Sequence, residues 1–326
     1  MKAIAARIAQ ALGLILAVIV LNFVLIHIAP GDAATAIAGD QSASDPEVIE
    51  EIRAQYGLDE PFIVQLGTYI GNVLQGDLGD SIWFNEPVTD LLLERIWPTV
   101  LLSAAALTFA VILGVTIGTI AARRPESLVS HAVTVLALVG FAMPAFWTGL
   151  LLLILIGINF DFFPVSGYRS LDFEGNWLQA WLDTGQHLIL PALTLGIIYL
   201  AQYSRLSRAS MLEVLESDYV RTARAKGLSE RSVTFKHGLR NGIIPVVTIL
   251  GLQFGAVLSG AILVESVFAW PGLGRLAFEA VTRRDTPVLL GVLLLVSIAV
   301  IVANLLTDLV YRFIDPRIRV SGGTNG

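Results

Sequence analysis

"TVLLSAAALTFAVILGVTIGTIA", residues 99–121, runs for 23 residues without a charged side chain. At 1.5 Å per residue such a run makes a helix of about 35 Å, enough to cross a hydrocarbon core about 30 Å thick. Five further stretches share its character: about 8–28, 132–158, 188–204, 244–266 and 287–311. The composition agrees. The 326 residues are 55% hydrophobic and 15% charged, with mean hydropathy +0.73, whereas soluble domains carry about 25% charged residues. The expectation is an all-α polytopic membrane protein with six transmembrane helices in contact with the lipid bilayer. The first run follows Lys2 and Arg7 and precedes "ATAIA", the layout of a signal peptide. Its apolar part exceeds the usual 7–15 residues of a cleaved signal, so a retained helix is expected.

The charges are sorted rather than mixed. Positive loops resist translocation, so the side that holds most Lys and Arg is cytoplasmic. With the N-terminus inside, 15 of the 21 basic residues fall on the cytoplasmic side, among them Arg123, Arg124, Arg205, Arg208, Arg312, Arg317 and Arg319. The segment after the first span is acidic, with Asp45, Glu47, Glu50, Glu51, Asp59 and Glu60. Both termini are expected in the cytoplasm. The organisation read from this is a first span to about residue 29, an extracytoplasmic segment over 30–98, and a core over 99–326.

In the outer segment, "DPEVIEEIRAQYGL" carries helix signals: Asp45 as cap, Pro46 at the first position and Gly57 as stop. "EPFIVQLGTYIGNVL" is amphipathic and suits the membrane surface. At about 65 residues this segment is too small to be a two-lobed solute-binding domain. Gly114 and Gly118, and likewise Gly251, Gly255 and Ser259, stand four apart, a spacing that lets membrane helices approach closely.

Several chemistries find no support. Cysteine is absent, and His27, His131, His187 and His237 are scattered without ligand spacing, so neither a metal centre nor another cofactor is expected. No GxxxxGK[ST] or GxSxG occurs, and "GLGRLA" at 272–277 lacks the βαβ context of a dinucleotide site. Glu265 and Asp308 lie near span ends rather than at the midplane, which weakens a proton-coupled carrier or an intramembrane enzyme. Nothing suggests nucleic acid.

The positive signal is "DYVRTARAKGLSERSVTFKHGLRNGIIP", Asp218–Pro245, with six Lys/Arg and a histidine between two apolar runs. Tyr219–Lys226 favours helix, Gly227 suits a left-handed stop, and Ser229 caps a second helix to about Arg240. Arg221, Arg224 and Lys226 keep this knob in water, while Tyr219, Ala223 and Leu228 form a small apolar set. Such a shape fits a groove on another protein; the bland alternative is a solvated positive-inside loop.

The stretch resembles the cytoplasmic EAA loop of ABC importer permeases, in the form used by the dipeptide/oligopeptide/nickel branch. Of the generic EAA-x3-G pattern, Arg221-Thr222-Ala223 and Gly227 keep the final Ala and the Gly. Pro245 lies further from Gly227 than in the generic pattern, a departure that the same branch shares. "APGDAA", "YGLDEPFIVQLGTYIGNVLQGDLGDSI", "GFAMPAFWTGLLL", "FFPVSGY" and "ESVFAWPGLGRLAFEAV" resemble the B-type permease subunit of that branch, in order along the chain. The resemblance implies the type I ABC importer permease fold in a cell inner membrane. It also implies a second homologous permease, two cytoplasmic ABC ATPases and an external solute-binding protein. The chain itself would be a transport subunit, not an enzyme. Its ATPase-coupling loop, about 205–243, would centre on Tyr219, Arg221, Thr222, Ala223, Arg224, Ala225, Lys226, Gly227 and Leu228. Gln202, Gln253 and Asn304, polar residues inside spans, are candidates for a translocation path or for interhelical hydrogen bonds. Dipeptides or oligopeptides lead as solutes, with nickel chelates, glutathione and oligosaccharides as alternatives. An ATP-independent channel or scaffold is the reading from another class.

Overall fold

The computed structural model describes residues 2–28, 46–56, 60–160, 162–170, 173–250, 253 and 261–314. Helix is the form that pairs every backbone group within one segment, which hydrocarbon requires. Among the described residues the only extended pairing is a single bridge between Asp80 and Pro87. The helices, in order, are α1 (Lys2–Ile28), α2 (Pro46–Tyr56), α3 (Phe62–Leu74), α4 (Val88–Arg123), α5 (Leu128–Ala142), α6 (Ala145–Leu152), α7 (Trp177–Leu215) and α8 (Asp218–Ala225). There follow α9 (Glu230–Ser232), α10 (Leu239–Gly242), α11 (244–250), α12 (Ile262–Val267), α13 (Leu273–Arg283) and α14 (Thr286–Ile314).

Four described helices are long and apolar enough to cross a membrane: α1, α4, α7 and α14. The run expected as one span over 132–158 is instead broken, α5 and the stretch from α6 to Gly157 meeting at 106°. Pro144 explains the break, because its ring disfavours helical backbone at the preceding residue. Met143 accordingly is extended, at φ −77° and ψ 129°. The expected fifth span, about 244–266, falls largely outside the described residues. The expected fourth, 188–204, lies inside the much longer α7, whose start is fixed by a capping box between Asn176 and Gln179.

The chain divides into two compact units. The first comprises Met1–Thr99, Leu258–Ile262 and Pro271–Leu305. Its core joins Val88, Leu91 and Leu92 of α4 to Leu273, Leu276 and Ala280 of α13 and to Val288 and Val292 of α14. α2 begins at Pro46, as its helix signals predict. α3 packs on α1, where Phe23, His27, Phe62 and Tyr69 form a ring cluster. Burial pushes the Tyr69 phenol above its ordinary range, opposed by a hydrogen bond with Asn22. Asp285, itself buried, caps α14 through the Val288 amide and accepts from the Ser81 hydroxyl (2.5 Å) and the Trp83 amide (3.3 Å). The "AWPGLG" turn is tight for a reason local to Gly274: a Cβ there would lie 2.6 Å from the Ile262 Cα.

The second unit comprises Val100–Val257, Leu263–Trp270 and Leu306–Gly326. Here α7 is the central rod, with α5 and α6 packed against it. Gly114 and Gly118 do what their spacing predicts. A Cβ at Gly114 would come 2.9 Å from Tyr203 Cβ, and one at Gly118 would overlap the Ser204 carbonyl oxygen. Backbones this close gain dispersion contacts and let Ser207 donate to the Val115 carbonyl across the helix pair (3.3 Å).

Candidate functional site

The knob grows directly out of the end of α7. Ser217 breaks the helix at ψ 152°, and α8 turns away from it. The two are joined by apolar packing: Met211 and Leu215 of α7, Ala122 of α4, Val220 and Ala223 of α8, and Val233 form one buried cluster. Arg224 then locks the corner. Its Nη1 donates to the Leu215 carbonyl (3.2 Å), a free acceptor at the C-terminus of α7, and its Nε to Glu230 Oε1 (3.0 Å). The ion pair is half-exposed and adds little; the carbonyl bond at the helix end gives the direction.

Gly227 makes the reversal, at φ +78° with open space where a Cβ would point. Its amide bonds to the Arg224 carbonyl (2.9 Å), and the Leu228 amide reaches Ala223 (3.4 Å). Ser229 caps the next helix, accepting from the Ser232 amide. That helix is not the single run to Arg240 that its sequence suggests. It is α9, then a π-helical stretch Val233–Gly238, then α10. The widening brings Gly238 and Gly242 against the flexible side chain of Met211, where any Cβ would be crowded. Asn241 Nδ2 donates to the Tyr219 hydroxyl (2.9 Å), tying α10 back to α8.

Of the residues singled out in the sequence, Ala223 is buried at the root of the knob and the other eight are exposed. Tyr219 and Leu228, expected in the knob's apolar set, are 42% and 41% accessible. The apolar interior instead uses Val220 and Val233, both fully buried, together with Met211 and Leu215. Part of the signal was present: Met211 and Leu215 stand i,i+4, and Val220 and Ala223 i,i+3. Tyr219, Leu228 and Phe235 are thus exposed apolar groups among Arg221, Lys226, Arg231 and Lys236. That composition, aromatic and aliphatic anchors in a mainly positive field that also holds Asp218 and Glu230, fits a protein partner better than bulk water.

The three span residues do not form one group. Gln202 is half-buried on α7; Gln253, also half-buried, hydrogen-bonds to Tyr199 in the same unit. Asn304 is exposed on α14 and belongs to the other unit. Tyr199 and Tyr203, an i,i+4 pair on α7, escaped sequence reasoning because aromatics read as apolar in a span. The fully buried Tyr203 hydroxyl meets no hydrogen-bonding partner among the described residues.

Several apolar helices long enough to span, with a basic knob continuing one of them, define a multi-pass membrane protein. The chain belongs to the binding-protein-dependent transport system inner membrane component family, whose pattern matches residues 114–320. The N-terminal pattern for membrane components of such systems matches residues 1–103. It is therefore a multi-pass inner-membrane protein. It is 43% identical over 317 residues to the dipeptide transport system permease protein DppB of Escherichia coli (strain K12), covering 92% of this chain and 93% of that one. It is 38% identical over 317 residues to the oligopeptide transport system permease protein AppB of Bacillus subtilis (strain 168), covering 96% and 97%. In fold it is similar to a chain of the MetNI methionine ABC transporter in inward-facing conformations, with TM-score 0.55 and 17% identity, over 69% of this chain and 96% of that chain.

Proposed function

We propose that the protein is a permease subunit of an ATP-driven importer that moves di- and oligopeptides delivered by an external solute-binding protein. ATP hydrolysis belongs to two cytoplasmic ATPases, and a second homologous permease completes the pathway. The observation that carries this reading is the knob: a turn with a glycine at positive φ, rooted in the buried cluster at the end of α7 and pinned by Arg224, in a chain of this family. A loop held that firmly passes displacement into the rod instead of absorbing it, which is what coupling to an ATPase requires. The residues from Tyr219 to Leu228 are its contact face. Gln202 and Gln253, in one unit, are the candidates to line the path. The peptide assignment draws on the two relatives whose names state dipeptide and oligopeptide transport.

The test is uptake in a host lacking its own peptide permeases, with the partner subunits expressed alongside. Labelled dipeptide should accumulate in an ATP-dependent manner, and unlabelled tripeptide should compete. Competition by nickel chelates, glutathione or oligosaccharides but not by peptides would move the solute elsewhere within the same machinery. Accumulation without the ATPases would overturn the importer reading.

A further inference from the structure

We infer that the first two turns of α7 are a membrane-interface anchor, seated at the boundary between lipid headgroups and acyl chains. The helix is 39 residues long, about 58 Å at 1.5 Å per residue, almost twice the thickness of a hydrocarbon core. Parts of it must therefore lie outside the hydrocarbon. At one end Arg205 stacks over the Phe141 ring (5.5 Å) and Arg208 donates to Ser130 Oγ (3.0 Å), so the charged level is fixed there. Counting back 24 and 28 positions along the same helix reaches Trp181 and Trp177. These lie about 36 and 42 Å from Arg205, and a bilayer with its headgroups measures about 40–45 Å. The tryptophans thus fall at the opposite headgroup level, where indole rings concentrate in membrane proteins.

The side chains match that depth. Trp177, Leu178, Trp181 and Leu182 share an arc of about 140° at 100° per residue, and all four are exposed, Trp177 at 75% and Trp181 at 50%. Phe160 and Phe162, in the loop that leads to α7, are exposed as well. On the other side of the same turns the carboxylate of Asp183 is already paired. Asp183 accepts from the Ser170 amide (2.8 Å) and hydroxyl (2.6 Å), and the Asp183 carbonyl meets His187 Nδ1 (2.9 Å). An apolar face backed by paired polar groups at headgroup depth fits lipid. A protein partner is the rival occupant, and the test separates the two.

The chain has no cysteine, so Leu178→Cys and Leu182→Cys each accept a single nitroxide label in the assembled complex in bilayers. Collision with oxygen, which partitions into lipid, should rise, and collision with a water-soluble nickel chelate should fall, relative to a label at Glu126→Cys, exposed between α4 and α5. Labels as open to the chelate as Glu126→Cys would overturn the anchor. Labels shielded from both reagents would also overturn it, by placing a protein over the face. A second measurement needs no label: lipids brominated near the headgroup should quench the native tryptophan emission more than lipids brominated at the chain end. Trp177→Phe with Trp181→Phe should reduce that excess, although Trp83, Trp97 and Trp147 are also exposed, and an excess unchanged by the double variant would sink the proposal.

Discussion

Gly227 carries the sharpest consequence at the scale of a single residue. Its φ of +78° is closed to β-branched side chains by clash with the backbone, although the surrounding space is empty. Gly227→Val is expected to cost roughly 1–3 kcal/mol of local strain, to leave membrane insertion intact and to distort the knob. In nanodiscs with the partner subunits, stimulation of ATP hydrolysis by loaded binding protein should be lost, and Gly227→Ala should be milder. Full stimulation in the Val variant would remove Gly227 from the transmission. This glycine was legible because one residue type dominates one backbone region. In sequence Arg224 is a solubilising charge, and its bond to the Leu215 carbonyl is not foreseeable. Nothing in the spacing of 215 and 224 says that a helix turns back between them.

Among elements, α4 and α7 show what glycine spacing can and cannot announce. The four-residue step from Gly114 to Gly118 predicts a close helix neighbour but not which one. The partner is α7 at Tyr203, Ser204 and Ser207. Gly118→Leu would drive a side chain into the Ser204 backbone, which cannot step aside as a flexible side chain can. Overpacking of this kind costs about 1–3 kcal/mol, occasionally more. The midpoint of thermal unfolding in detergent should drop, whereas Gly13→Ala on α1, with no atom within 4 Å of the added methyl, should leave it unchanged. An unchanged midpoint for Gly118→Leu would mean that α4 and α7 are not held in this register. Hydrophobic runs gave the helices themselves, but their ends came from other signals. Pro144 split one run, and the Asn176–Gln179 box started α7 eleven residues before the apolar stretch.

For the whole molecule, the sorting of basic residues predicts orientation. In intact spheroplasts a membrane-impermeant maleimide should label Gln75→Cys, exposed just after α3, and should reach Arg231→Cys only after lysis. Labelling of Arg231→Cys from outside would invert the topology. Family membership was readable from ordered stretches along the whole chain, none decisive alone. The division into two units was not readable, because the first gathers Met1–Thr99 with Pro271–Leu305 across a gap of more than a hundred residues. Such long-range pairing rests on side-chain shape, as where Gly291 admits Val88 and Leu92, and periodicity within one helix does not encode it.

One-piece construction of α7 makes it a ruler. With rings at one headgroup level and guanidinium groups at the other, the fixed distance between them matches one membrane thickness. Shorter acyl chains would tilt the rod or pull one end off its level, at a cost of fractions of a kcal/mol per ångström of mismatch. Because the knob is welded to the end of that rod, a tilt of α7 also re-aims the knob. The lipid composition of the host membrane then becomes a setting of the machine, adjustable without any change in sequence.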